Sequence, residues 1–158
     1  MKTILFALIL AAATAEARIG ETIAQCHERY GNPLRITGDE RRYETGGFVI
    51  FVTFFEGKAE EITYCKQSSG FLGRPDALSK NEIAELLKKN AVGVWKAPAK
   101  PSLEIDWESA DGSCVAGYSG ISNVLRITTT TRIKRMADAR QAEAKAKKAE
   151  ENRKLKGL

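Results

Sequence analysis

The chain has 158 residues, 43% hydrophobic and 28% charged, with a formal net charge of +5 and a pI near 9.2, which is the size of one ordinary domain able to bury a core without metal or disulfide support. The positive excess is uneven: residues 18–131 carry 14 Lys/Arg against 15 Asp/Glu, whereas residues 132–158 carry 10 against 4. A neutral body with a basic arm argues against a nucleic-acid-binding fold, because no aromatic residues interleave with the charges of the arm.

Residues 1–17 read as a secretory signal peptide. Lys2 supplies the positive start, residues 3–13 are apolar, and Ala13-Thr14-Ala15 or Ala15-Glu16-Ala17 offers a small-residue cleavage site. The mature chain then begins near Glu16 or Arg18 and is expected to be secreted or periplasmic. No later segment approaches the roughly 18 apolar residues that a membrane-spanning helix needs, so no transmembrane segment is expected.

The first αβ unit is predicted over residues 18–66. Thr22-Ile23-Ala24-Gln25 fits a capping box, Ile23, Cys26 and Tyr30 recur at helical spacing, and Gly31-Asn32-Pro33 stops the helix. Short strands follow at 34–37 and 41–45. Residues 48–55, Phe-Val-Ile-Phe-Val-Thr-Phe-Phe, form a strand apolar enough to be covered on both faces and to occupy the centre of the fold. Glu56-Gly57 turns the chain into an antiparallel partner at 58–66, with Ile62 and Tyr64 on one face and Thr63 and Cys65 on the other.

Residues 67–78 form a linker loop rich in Ser, Gly and Pro. The second αβ unit is predicted over 79–131. Ser79-Lys80-Asn81-Glu82 is another capping box, and Ile83, Leu86 and Leu87 give the helix its apolar stripe. A short strand around Val94-Trp95-Lys96, a strand at 103–109, the Asp111-Gly112 hairpin signal and strands at 113–118 and 124–131 complete it. Tyr43-Glu44-Thr45 and Trp107-Glu108-Ser109 stand 64 residues apart, and the caps Thr22 and Ser79 stand 57 apart. A diverged internal duplication explains this order. The fold class is therefore α+β: two tandem helix-then-antiparallel-sheet repeats with their helices on one sheet face.

Residues 132–158 form a basic tail of good helix formers, with Glu143 four before Lys147 and Glu150 four before Lys154. It has no heptad seam and no membrane-dipping face. If the tail meets a partner, an anionic envelope surface is the fit, through Arg132, Lys134, Arg135, Arg140, Lys145, Lys147 and Lys148.

Motifs for chemistry are sparse. His27 is the only histidine; its neighbour Cys26 points about 100° away on a helix, so the two form no thiol dyad. Cys26, Cys65 and Cys114 lack paired metal-ligand spacing, and no cofactor motif is present. In an oxidising compartment one disulfide could form, with Cys26 to Cys65 pinning the first helix to its hairpin; the alternative is three small buried apolar residues. Ser119 in Gly117-Tyr118-Ser119-Gly120-Ile121 lacks the final glycine of a nucleophile elbow and fits a hairpin bend. Gly57-Lys58 imitates the end of a phosphate loop without its first glycine or its hydroxyl residue. Glu60 and Glu61, as strand neighbours, are expected on opposite faces, and Asp106 and Glu108 on a solvated one. Tyr43, Trp95 and Trp107 fit core positions better than a ligand groove.

Arg18-Ile19-Gly20-Glu21-Thr22, the helix stop Arg29-Tyr30-Gly31-Asn32-Pro33 and the hairpin Phe54-Phe55-Glu56-Gly57-Lys58 resemble the helix-then-sheet unit of small outer-membrane assembly lipoproteins (SmpA/OmlA-like), of tandem-repeat β-lactamase inhibitor proteins and of other secreted bacterial proteins. The resemblance implies a non-enzymatic, protein-binding scaffold of one helix on a three- or four-stranded antiparallel sheet, used in tandem. The lipoproteins' lipidated cysteine is absent, and fold likeness transfers no binding residue. The expected function is a secreted or periplasmic non-catalytic module holding another envelope or secreted protein. The alternatives are an envelope-surface binder acting through the basic tail and a hydrolase of unfamiliar type.

Overall fold

The computed structural model describes residues 18–70, 73–90, 93–98 and 105–156; the expected signal peptide and its cleavage site lie outside them. The chain runs α1 (Ile23–Tyr30), β1 (Arg35–Thr37), β2 (Glu40–Thr45), β3 (Phe48–Phe55), β4 (Lys58–Lys66), α2 (Lys80–Asn90), β5 (Trp95–Lys96), β6 (Trp107–Ser109), β7 (Cys114–Ser119), β8 (Val124–Thr129) and α3 (Thr130–Lys156). All eight strands form one antiparallel sheet in the order β1-β2-β3-β4-β8-β7-β6-β5. The two helix-then-sheet units join edge to edge. Their last strands, β4 and β8, are the central pair, antiparallel with Ile62 opposite Ile127.

β3 is thus not the centre of the fold. Its run of apolar residues serves two faces of different character: Ile50, Val52 and Phe54 are buried with the helices, while Val49, Phe51, Thr53 and Phe55 point to the other side. Local chemistry explains the hairpins. Glu56 and Gly57 both have positive φ (49° and 75°), the pair of left-handed residues that matches a two-residue turn to the twist of its strands.

Both helices start as their sequences predict. The Thr22 hydroxyl accepts from the Gln25 N–H at 3.3 Å while Gln25 Oε1 accepts from the Thr22 N–H at 2.9 Å; Ser79 and Glu82 do the same at 3.3 and 2.7 Å. α1 ends at Gly31, whose N–H donates to the His27 carbonyl at 2.8 Å with φ of 81°. The core lies between these helices and one sheet face: Cys26 from α1 and Ile83, Leu86 and Leu87 from α2 cover Tyr43, Ile50, Val52, Ile62, Tyr64, Ala116, Leu125 and Ile127. Trp95 and Trp107 pack against the same cluster.

Polar ties cross between the units inside this core. Asn90 of α2 donates to the Tyr64 hydroxyl at 2.9 Å, and that hydroxyl meets the Tyr30 hydroxyl of α1 at 3.2 Å. At the rim, Lys66 of β4 pairs with Glu82 of α2 at 2.8 Å. The Lys66 ammonium, followed by the Ser79 N–H and hydroxyl, holds the Glu82 carboxyl down at about 2. A carboxyl depressed in the folded state contributes stability above its ordinary value near 4.5 and loses it as pH falls towards 2. The wild type should therefore lose more stability than Glu82→Gln across that interval, as denaturant melts at several pH values will measure; parallel losses would show that the pair does not tie the units.

Candidate functional site

The register of the strands defines the face opposite the helices. Residues directly across an antiparallel ladder share a face, so one row reads Arg35, Arg42, Phe51, Thr63, Arg126 and Gly117 across β1, β2, β3, β4, β8 and β7. The next row reads Thr37, Glu40, Thr53, Glu61, Thr128, Val115, Glu108 and Lys96. None of these side chains belongs to the core under α1 and α2. At the β1 end the face dips into a depression of about 330 Å³ lined by Arg35, Thr37, Glu40, Arg42, Val49 and Phe51. Arg42 is ion-paired to Glu44, which also accepts from Gln67 Nε2 at 3.0 Å; the Arg42 Nε is buried with no partner.

α3 leaves this face at one corner. It follows β8 without a loop, and the Thr129 hydroxyl accepts from the Arg132 N–H at 3.0 Å as its N-cap. The strand expected to reach residue 131 therefore stops at Thr129, because Thr130 and Thr131 enter the helix. Arg132 pairs with Glu61 at 3.3 Å, and Arg135 forms a two-armed pair with Glu60 while its guanidinium lies 3.6 Å from the Phe55 ring centroid. Beyond Met136 every side chain through Arg153 is exposed, so most of a helix about 40 Å long projects from the body.

Glu60 and Glu61 correct the expectation of opposite faces. Thr53 pairs with Glu61 but Phe54 pairs with Ala59, so Glu60 is the extra residue of a β-bulge. The bulge breaks the alternation and lets both carboxylates meet arginines on one helix. Of the seven tail cations expected to meet an anionic surface, Arg132 and Arg135 are thus engaged within the molecule, while Lys134, Arg140, Lys145, Lys147 and Lys148 are exposed.

The expected Cys26–Cys65 bridge is not formed: all three cysteines are free and buried. Cys26 lies in the core under α1, whereas Cys65, beside Tyr64 on β4, points to the opposite face and lies 3.7 Å from the Val49 carbonyl. The sheet separates them. Burial pushes the Cys26 thiol up to about 12 and raises those of Cys65 and Cys114, the opposite of what a thiolate nucleophile needs. His27 stacks edge-on against Tyr43 at 5.9 Å, with its Nε2 buried and unpartnered. Ser119 accepts from the Ser122 N–H at 3.2 Å within the β7–β8 turn, and Asp106 accepts from the Tyr118 N–H at 2.7 Å. Tyr43 is fully buried. The described part of the 67–78 loop is tied to the second unit through Arg74 to the Gly120 carbonyl and Asn123 to the Pro75 carbonyl.

Among the described residues no group of three or more His, Cys, Asp or Glu could hold a metal ion, and no helix is long and apolar enough to cross a membrane. No family model, curated protein or solved structure matches this chain, and its functional reading rests on its own geometry. The α3 anchor is open to test. Arg135→Ala leaves Glu60, 8% exposed, without its charged partner and should destabilise the attachment of α3; the first two turns of α3 should exchange amide hydrogens faster while α1 and α2 keep their protection.

Proposed function

We propose that this chain is an exported, non-catalytic module that holds a protein partner on the helix-free face of its sheet. One observation carries the reading: α1 and α2 both cover the same side of the sheet, while the side-chain contacts of α3 with the other side, among the described residues, gather at the corner of Phe55, Glu60 and Glu61. Eight strands at about 4.8 Å spacing make a face about 34 Å wide, enough for the roughly 800 Å² that each partner contributes to an ordinary protein–protein interface. The face mixes apolar groups, the half-buried Phe51 and the exposed Phe55, with charged ones, as recognition surfaces do. The low accessibility of the thiols, the packing of His27 on Tyr43 and the pairing of Glu60, Glu61 and Glu82 favour binding over group transfer. Export rests on the signal-like residues 1–17.

A second reading, attachment to an anionic envelope surface through the tail, draws on the exposure of Lys134, Arg140, Lys145, Lys147 and Lys148. It is weaker, because Arg132 and Arg135 are neutralised inside the molecule and Asp138, Glu143, Glu150 and Glu151 interrupt the remaining cations.

A photo-crosslinking amino acid at Thr63 on the open face, compared with one at the exposed Glu85 of α2, separates these ideas in the producing cells. Thr63 is expected to trap a discrete protein band and Glu85 none, on a chain whose N-terminus has been cut near Glu16 or Arg18. Trapping from Glu85 alone, or an uncut chain in the cytosol, would sink the reading.

A further inference from the structure

We propose that two copies of this chain pair through their β1 edges, antiparallel about Ile36, joining two eight-stranded sheets into one. This interface is separate from the helix-free face, and each can fail without the other.

The two outer edges of the sheet differ. β5 is guarded: it is two residues long, carries Lys96 and runs into Pro98, while Trp95 turns inward and its Nε1 donates to the Leu87 carbonyl at 2.7 Å. β1 contains neither lysine nor proline, and all three of its residues are exposed. Ile36 is 60% exposed, and Leu34 just before the strand is 63% exposed. The two-residue turn Gly38-Asp39, with Gly38 at a φ of 55°, closes on the pair Thr37–Glu40. Alternation of bonded and unbonded pairs then turns the N–H and C=O of Ile36 away from β2, and among the described residues no strand lies beyond them.

Charge placement selects a second copy as the occupant. With Ile36 opposite Ile36 of the second copy, Arg35 falls opposite Thr37 of the second copy, whose own cross-strand partner is Glu40. Arg35 and that Glu40 stand two strand spacings apart, about 10 Å, within the joint reach of their side chains across the short threonine. Within one copy neither Arg35 nor Glu40 forms an ion pair with a described residue, and Arg35 faces Arg42 across the hairpin, where like charges are destabilising. The edge thus offers one free charge of each sign, and a two-fold match satisfies both of them twice. A strand of single-signed charge would leave one of them unmatched.

The helix side of the edge fits as well. Ile36 lies opposite Arg41, which lies opposite the core residue Val52, so Ile36 points to the helix side. α1 stands over Tyr43 of β2, with His27 and Tyr30 stacked on that ring at 5.9 and 5.3 Å. In the pair, the two β2 strands are three spacings apart, about 14 Å, and helices about 10–12 Å across leave between them a gap of one side-chain width, which the two Ile36 side chains fill. A contact of this extent belongs to the small, reversible class, below about 1,200 Å².

Sedimentation of the full mature chain from about 10 μM to about 1 mM should show its mass rising towards that of two copies. Arg35→Glu should weaken the association about tenfold, adding Glu40→Arg to it should restore the association, and Lys88→Glu on the exposed side of α2 should change nothing. Under oxidation, Ile36→Cys should bridge two chains faster than Val94→Cys at the opposite edge, although Val94 is the more exposed at 74%. A monomer throughout the series, undiminished pairing by an Arg35→Glu variant that melts like the wild type, no rescue by the double swap, or faster bridging from Val94→Cys would each overturn the interface. A monomer whose Thr63 still traps a partner keeps the helix-free face as the binding surface; a dimer whose Thr63 traps none keeps the β1 interface alone.

Discussion

The structure depends on the antiparallel pairing of β4 with β8. Four residue pairs, Glu61–Thr128, Ile62–Ile127, Thr63–Arg126 and Tyr64–Leu125, join the two units into one sheet. Ile62, Leu125 and Ile127 are fully buried, and removing each such side chain from water is worth about 1.5–3 kcal/mol. Either unit alone would present β4 or β8 as a long, apolar, unpaired edge, which invites aggregation. Pairing the two edges removes the hazard and leaves only the short outer strands β1 and β5 at the margins. The same seam sets the shape of the helix layer: α1 and α2 come to lie side by side because their sheets are continuous, and Tyr30, Tyr64 and Asn90 link them beneath it.

A consequence of the seam is the long uninterrupted face on the other side. A helix layer can cover only one side when each unit supplies one short helix, of 8 and 11 residues. What remains open is a surface whose rows run across both units, so that Arg42 from the first and Arg126 from the second fall into one line. Neither unit alone has that line. Joining the units thus creates a continuous sheet face whose rows no single repeat contains.

Much of this was legible in the residues. Both capping boxes, the Glu56-Gly57 turn and the facing of Ile62 and Tyr64 rest on interactions within a few positions of each other, and the structure forms each of them. The tandem order of helix and strands was legible for the same reason. Strand order was not, since Phe48–Phe55 advertises burial by composition whereas the central position belongs to β4, whose exposed-looking Glu60 and Glu61 hide its role. The bulge that turns those two carboxylates toward α3 depends on which residue of β3 pairs with which residue of β4, and alternation in sequence carries no record of it. The Cys26–Cys65 expectation failed on the same ground, because sequence distance says nothing about a sheet standing between two thiols. The arginine row was missed entirely: its members are separated by up to 91 positions, from Arg35 to Arg126, and only register assembles them.

The anchoring of α3 gives the basic tail a different meaning from its composition. A cationic helix held only by its chain end would sample all directions and act as a loose electrostatic arm. Here the Thr129 cap, the Arg132–Glu61 pair and the Arg135–Glu60 pair over Phe55 fix the direction in which the helix leaves the sheet. These contacts use the two cations nearest the body and satisfy two carboxylates that would otherwise place negative charge on the open face. Pairing Glu61 with Arg132 offsets a negative charge in the row beside Thr63 and Arg126. The first turns of α3 therefore bear on the sheet face as well as on the tail, and the electrostatics of the surface cannot be separated from the helix that borders it.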